Sequence, residues 1–315
     1  MPPTRFRPLP LTVVLLLCGG LAALADEPRL LAYKFNKGDV ARYRTRVELK
    51  QVQSFADQKI EITLASDSRG TRTVEQIDGD GRTHFKTRTD AMQVAAKIPG
   101  LDDYTFDSKS TTRDKSSETG GALTPIFERL IGSEFDLFVA ARGEVKEVKN
   151  YGEMLAELLK DNTLGVQVTR GGSNGAAHIA LQEALVVLSD KPVKPGDTWE
   201  CAIDVELPNL GRIKGPIKYQ YAAPDKVGDL TTARIEWTNE TAFEVNVEIS
   251  GVKAAGVLSP TSSSGVAQFD PAAGRLVSLK SSQTVAGQLI LDGLVPFQSE
   301  QTQTITSDLL APNAE

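Results

Sequence analysis

The chain has 315 residues, 40% hydrophobic and 24% charged, with 35 Lys and Arg against 41 Asp and Glu, for a net charge of −6. Without residues 1–25, and so without Arg5 and Arg7, the charge falls to about −8, which argues against nucleic acid as the main partner. Aromatic residues are only 6% of the chain, too few for platforms that stack bases or sugars.

Residues 1–25 read as a signal peptide: Arg5 and Arg7, an apolar run over Leu11–Leu17, and Ala23-Leu24-Ala25 as a cleavage site before Asp26. The run is too short to span a bilayer, and no later segment reaches spanning length. An exported chain with no transmembrane segment in its mature part is therefore expected, periplasmic or extracellular in a bacterium. Cys18 suggests lipidation, but the large Leu17 precedes it. Cys201 is then the one cysteine left, so no internal disulfide staples the fold, and it reads as a buried thiol.

One phrase occurs twice. Residues 36–49 (NKGDVARYRTRVEL) and 194–207 (KPGDTWECAIDVEL) share Gly38/Gly196, Asp39/Asp197, Val47/Val205, Glu48/Glu206 and Leu49/Leu207. Each opens an alternating run with a Gly-Asp turn. An acidic-glycine turn follows in each half, at Asp78–Gly81 and Asp225–Asp229, and later a Phe-to-Gly turn, at Phe138–Gly143 and Phe269–Gly274. Two copies of one β-rich unit are expected. The period is too long and the copies too few for a solenoid.

In chain order, Tyr43, Thr45, Val47 and Leu49 form one face of a strand and Arg42, Arg44 and Arg46 the other. The arginine row reads as a solvated face, with an anion grip as the sharper alternative. Asp78-Gly79-Asp80-Gly81 turns a hairpin over 70–96; the ligand ladder of an EF-hand is absent. Residues 107–122 read as a polar surface loop. A helix is expected from Thr124 as N-cap and Pro125 to Gly132, a second from Asn150 with capping-box spacing to Glu153, and a third over 176–188. In the second half, strands are expected around Ile217–Tyr221, Ile235–Trp237 and Phe243–Ile249, a loop at 260–265, and strands around 276–291 and 298–307.

Catalytic signatures are weak. Gly171–Gly175 matches G-x-S-x-G around Ser173, but the only histidines are His84 and His178, neither placed as the base of a triad. Two distant histidines and one thiol make no usual zinc site, and no phosphate loop or dinucleotide fingerprint appears, so no metal and no cofactor is expected. Asp102-Asp103 reads as a solvated turn, and Asn239-Glu240-Thr241 as a glycosylation sequon relevant only in a eukaryotic secretory host.

Lys37-Gly38-Asp39, Val193–Trp199 (VKPGDTW) and Phe269–Leu276 resemble a family of uncharacterised exported bacterial proteins, a domain of unknown function. Those motifs are turn and strand motifs, so the resemblance implies a fold and carries over no catalytic residues. The layout is more loosely similar to the curved half-barrels of periplasmic lipoprotein carriers.

The resulting expectation is an α+β chain with two related curved antiparallel β-sheets and segregated helices. Its parts are a signal peptide (1–25), a first β-rich unit (26–150), a helical connector (151–190) and a second β-rich unit (191–315). The expected role is non-catalytic: an envelope protein that binds or carries an apolar or lipid-like ligand. The alternatives are a structural module that binds another envelope protein and, remotely, a serine hydrolase using Ser173.

Overall fold

Two turns of the same chemistry start the two runs of strands. At the first, the Asn36 N–H donates to Asp39 Oδ2 (2.7 Å) and the Asp39 N–H to the Asn36 carbonyl (3.0 Å). At the second, the Lys194 N–H donates to Asp197 Oδ2 (2.9 Å) and the Asp197 N–H to the Lys194 carbonyl (3.0 Å). Gly38 (φ 88°) and Gly196 (φ 93°) hold a left-handed backbone that a side chain would strain. Each turn then docks on the second strand of its run. Gly38 donates to Val74 and receives back through Asp39; Gly196 and Asp197 do the same with Tyr221.

The computed structural model describes residues 27–55, 58–159, 178, 181–207, 210–249 and 251–311. The first run contains β1 (Val40–Phe55), β2 (Gln58–Ile77), β3 (Thr83–Lys97), β4 (Tyr104–Asp107), α1 (Glu118–Leu130), β5 (Glu134–Val139), β6 (Val145–Lys149) and α2 (Tyr151–Leu159). The second contains β7 (Thr198–Leu207), β8 (Gly211–Val227), β9 (Leu230–Asn239), β10 (Ala242–Ile249), β11 (Val252–Asp270), β12 (Arg275–Leu291) and β13 (Val295–Leu309). The signal peptide, Cys18 and the Ser173 motif lie outside the described residues.

Every pairing is antiparallel, and the strands form one 13-stranded sheet rather than two. The join is β1 with β13, a register running from Tyr43↔Leu309 to Ser54↔Gln298. Two strands are interrupted and share a lane. β9 and β10 lie end to end along β8, and β4 and β5 lie end to end along β3. The lanes therefore run β7, β8, β9/β10, β11, β12, β13, β1, β2, β3, β4/β5, β6, and the edges are β6 and β7.

Those edges come close. Gln182 Oε1 accepts from the Val145 N–H of β6 (2.7 Å), and Trp199 Nε1 of β7 donates to the Val187 carbonyl (2.7 Å). Eleven lanes laid flat would separate the edges by about 48 Å, while residues 182 and 187 span at most about 18 Å. The sheet must curl, with residues 182–188 set in the seam. Gly143 packs there without a side chain: a Cβ would sit 2.4 Å from the Val186 carbonyl and 2.5 Å from the Tyr33 ring.

Inside the curl, residues 29–33 and 186–193 cross the concave face and pair at Arg29↔Val193. Leu31, Val186, Val187 and Leu188 meet Tyr219, Tyr221, Ile235 and Phe269 in the main core. A second cluster, Val74, Phe85, Leu137 and Val139 among others, fills the first half beside it.

Several expected elements move. α1 starts at Glu118, not Thr124. Ser117 caps it, accepting from the Gly120 N–H, and Pro125 lies inside. Thr124 is buried, donating to the Asp114 carbonyl (2.6 Å) and paired with the Tyr104 hydroxyl (3.0 Å). Asn150 is no capping-box residue. Its φ is 66°, and its side chain donates to Asp136 (2.6 Å). The helix over 181–183 ends at Glu183, and Val186 to Leu188 lie buried in the core outside any helix. Residues 260–265 are not a loop. β11 runs through them, paired with β12 and with β9 only from Gly265 on, and the bulge between Pro260 and Ser262 accommodates the missing proline N–H.

Candidate functional site

Inward residues of β1 continue the apolar face Tyr43-Thr45-Val47-Leu49 into Gln51 and Gln53. Neighbouring strands do likewise: Gln301 pairs with Gln51, Ser299 with Gln53, and Gln283 with Gln303. These amides make one wall of a cavity of about 430 Å³ at the far end of the second half. The opposite wall is apolar: Ile203, Ile213, Ile217, Phe243, Val245, Leu258 and Leu289. The break between β9 and β10 adds Asn239 and Thr241. The Asn239 N–H donates to Ser263 Oγ (2.8 Å) and its amide to Gln283 Oε1 (3.2 Å).

His178, Gln182 and Glu183 complete the lining of the cavity. Gln182 is committed to β6, through Val145 and the Gly143 carbonyl (3.3 Å). Glu183 has no hydrogen-bond or ion-pair partner among the described residues, and burial pushes its carboxyl up to about 7. Burial, with Lys146 nearby, lowers the His178 imidazole. The cavity thus joins an apolar wall, a wall of neutral amides and one carboxyl poised between its two forms. It can hold an elongated apolar body with a polar, uncharged end.

Other candidates resolve differently. Arg44 makes a bidentate pair with Asp67, and Arg46 bridges Asp67 and Asp308, so these two arginines are already engaged on the outer face. His84 stacks on Phe138 and meets Asp136 (2.8 Å), which also takes Lys86 (2.8 Å). Burial would raise the Asp136 carboxyl, but Lys86 and His84 outweigh it and hold it low. Cys201 is half-buried and reduced, its thiol pushed up by burial. Asp103 pairs with Lys97 at the surface (2.7 Å). Asn239 is buried, a poor position for a glycosylation acceptor. Asp78–Gly81 form the β2–β3 turn, closed by the Gly81 N–H to the Asp78 carbonyl (3.0 Å). Among the described residues no three of His, Cys, Asp and Glu converge as metal ligands, and no helix is long and apolar enough to cross a membrane.

Sequence reasoning missed Glu183 and the glutamine wall. The wall had a signal: glutamines at period two, in register with an apolar face. Glu183 had none, since its burial depends on a contact between seam and sheet.

No curated protein matches the chain. Among solved structures, it is similar to lipovitellin, in a structure titled for its lipid–protein interactions, at 11% identity and a TM-score of 0.44. That match covers 90% of this chain but only 26% of lipovitellin, so this chain spans about a quarter of that protein. DynF, from the dynemicin biosynthesis pathway of Micromonospora chersina, matches at 6% identity and a TM-score of 0.22, covering 98% of this chain and 95% of its own. A DUF1329 family protein from Desulfovibrio piger matches at 10% and 0.17, covering 89% and 88%. At these scores the likenesses assign no ligand. Within the sequence, residues 80–223, from the β2–β3 turn into β8 and including the VKPGDTW motif, match the model of a family of unknown function (DUF6263).

Proposed function

We propose that the chain is a non-catalytic exported protein that binds or carries an apolar or lipid-like ligand in the cavity of its second half. One observation carries this reading: the cavity, about 430 Å³, sets an apolar wall against neutral amides at one end of the interior. That volume lies in the range of small-molecule sites, which are mostly apolar with a few placed polar groups. The expected leader at 1–25 supports an envelope location.

Native mass spectrometry of protein purified from the periplasm without detergent, followed by solvent extraction, tests it. Added mass that extracts as lipid is expected. An apo mass that stays apo on incubation with fatty acids, phospholipids and long-chain alcohols would contradict it.

A second reading, binding to another envelope protein, draws on exposed apolar side chains near the hairpin ends beside the cavity. Leu294 is 83% exposed, and Val252, Val257 and Ile290 lie nearby on paired strands. Crosslinking in cells distinguishes it: a discrete envelope partner lost on Leu294→Ser favours this reading, and monomer alone removes it.

A further inference from the structure

A second cavity, of about 400 Å³, lies toward the other end of the interior. On β1 it is lined by Val40, Ala41 and Tyr43, whereas the first cavity is lined by Gln51 and Gln53. From Tyr43 to Gln51 is about 26 Å of strand. One side of this cavity is apolar, with Val74, Phe85, Leu137 and Val139. The other carries Tyr33, Tyr43 and Arg72, with Lys34 and Arg275 also in the lining.

Arg72 is the unusual residue. Its guanidinium lies 5.1 Å from the centroid of the Tyr43 ring. It has no carboxylate and no hydrogen-bond acceptor among the described residues, and burial pulls its proton affinity down. A guanidinium carries five donors, and enclosing it without an anion is costly. Its nitrogens are not sealed against protein, for none is among the fully buried atoms left without a partner. They open to the cavity.

Three neighbours are spoken for. Asp39, the one carboxylate in the lining, accepts from the Asn36 backbone N–H and side-chain amide (3.2 Å). Lys34 Nζ donates to the Pro271 (3.2 Å) and Ala272 (3.0 Å) carbonyls, and the Tyr33 hydroxyl to the Val186 carbonyl (2.9 Å). The Tyr43 hydroxyl and the exposed Arg275 side chain make no hydrogen bond among the described residues, so they and the Arg72 fork are the open donors.

The geometry points to a site for an amphiphilic oxyanion, whose carboxylate or phosphate head sits on Arg72 and the Tyr43 hydroxyl and whose apolar part lies on Val74, Phe85, Leu137 and Val139. The planar fork suits a two-oxygen head, and such charge-assisted bonds are the strong ones. This site does not depend on the reading of the first cavity.

The test is isothermal titration of the delipidated full chain with oleate, with inorganic phosphate and with oleyl alcohol, in wild type, Arg72→Gln, Arg72→Lys, Tyr43→Phe and Val245→Trp. Oleate should bind, and Arg72→Gln should weaken it by about tenfold or more. Arg72→Lys keeps the charge without the fork and should fall between. The melting temperature of unliganded Arg72→Gln should equal or exceed that of wild type, because an unpaired, half-buried charge has gone; a merely structural arginine would lower it. Should Arg72→Gln not fold, Tyr43→Phe carries the same comparison with a smaller loss. Phosphate binding that depends on Arg72, without oleate binding, would keep the oxyanion and reassign its source to a free ion. Oleate binding lost in Val245→Trp but unchanged in Arg72→Gln would overturn the inference and leave the first cavity standing. So would equal affinity for oleate and oleyl alcohol, or no binding of either anion.

Discussion

The two halves share a frame and differ in what fills it. Each starts on the same Gly-Asp turn, docks that turn on its second strand, and proceeds as an antiparallel meander. They also exchange their lead-in segments. Lys34, ahead of the first turn, donates to Gly274 in the second half (2.9 Å), and Leu188, ahead of the second, donates to Arg142 in the first (2.8 Å). We read them as copies of one unit.

The first half carries helices that the second lacks. Where β11 runs on as strand through 259–264, the first half leaves the sheet between β4 and β5 and inserts α1. Leu123 and Phe127 of α1 pack on Val94, Tyr104 and Phe106, and α1 packs on α2 through Ile126, Leu130, Tyr151 and Met154. The second half has no such insertion and keeps a cavity. Both halves line a cavity of similar size, but only the first adds α1 and α2, and the two linings differ in charge.

Filling the first cavity and emptying the cluster under α1 should have opposite consequences. Phe106→Ala removes a side chain only 4% exposed that packs on Phe127 at 5.4 Å, and should cost about 3 to 5 kcal/mol in urea unfolding without reducing ligand binding. Val245→Trp should remove the neutral ligand of the first cavity with a far smaller change in stability, and Leu258→Trp serves as its duplicate. If both kinds of substitution lower binding alike, the halves do not divide the work.

Glu183 gives the next largest effect. Its carboxyl is raised from 4.5 to about 7, so the folded state holds the proton more tightly than the unfolded chain. Stability is therefore greatest below about pH 4.5 and falls as pH rises through about 7. Glu183→Gln should be more stable than wild type by about 2 to 3 kcal/mol at pH 8, with the difference fading toward pH 4. A flat difference across that range would show that the carboxyl is solvated.

Substitutions at the shared turns test the repeat directly. A Cβ at Gly38 or Gly196 meets nothing within 4 Å, so replacing either by Ala costs backbone strain alone. Each should lose about 1 kcal/mol, by equal amounts. Unequal losses would mean that the two turns only look alike. Smallest is Arg44→Ala, which breaks an outward pair with Asp67 and should cost under about 1 kcal/mol, less in high salt.

Strand content was legible because the chain alternates strongly. Tyr43 to Leu49 and Phe243 to Ile249 read as strands from their pattern and are strands, and the glycines at 38, 81 and 196 mark turns with positive φ as their neighbours implied. The misses have physical causes. Thr124-Pro125 carries a strong local start signal, yet Thr124 is buried against Asp114 and Tyr104, and Ser117 takes the cap. Residues 176–188 are apolar at helical spacing, yet the β-branched Val186 and Val187 lie buried in the core outside any helix, which no local pattern declares. PTSSSG resembles a loop because it lacks apolar alternation, but β12 supplies its backbone partners. Two sheets became one because β1 and β13 pair across most of the chain. The cavities were illegible for the same reason, since their walls come from strands distant in sequence.

The most direct measurement is ligand occupancy by native mass spectrometry, on wild type, Phe106→Ala and Val245→Trp expressed in one host and purified from the periplasm without detergent. Wild type and Phe106→Ala should carry the same extractable mass, and Val245→Trp should lose the neutral part of it, keeping only what Arg72 holds. Equal occupancy by neutral ligand in all three would place that ligand outside the first cavity and contradict the proposed role of its apolar and amide walls.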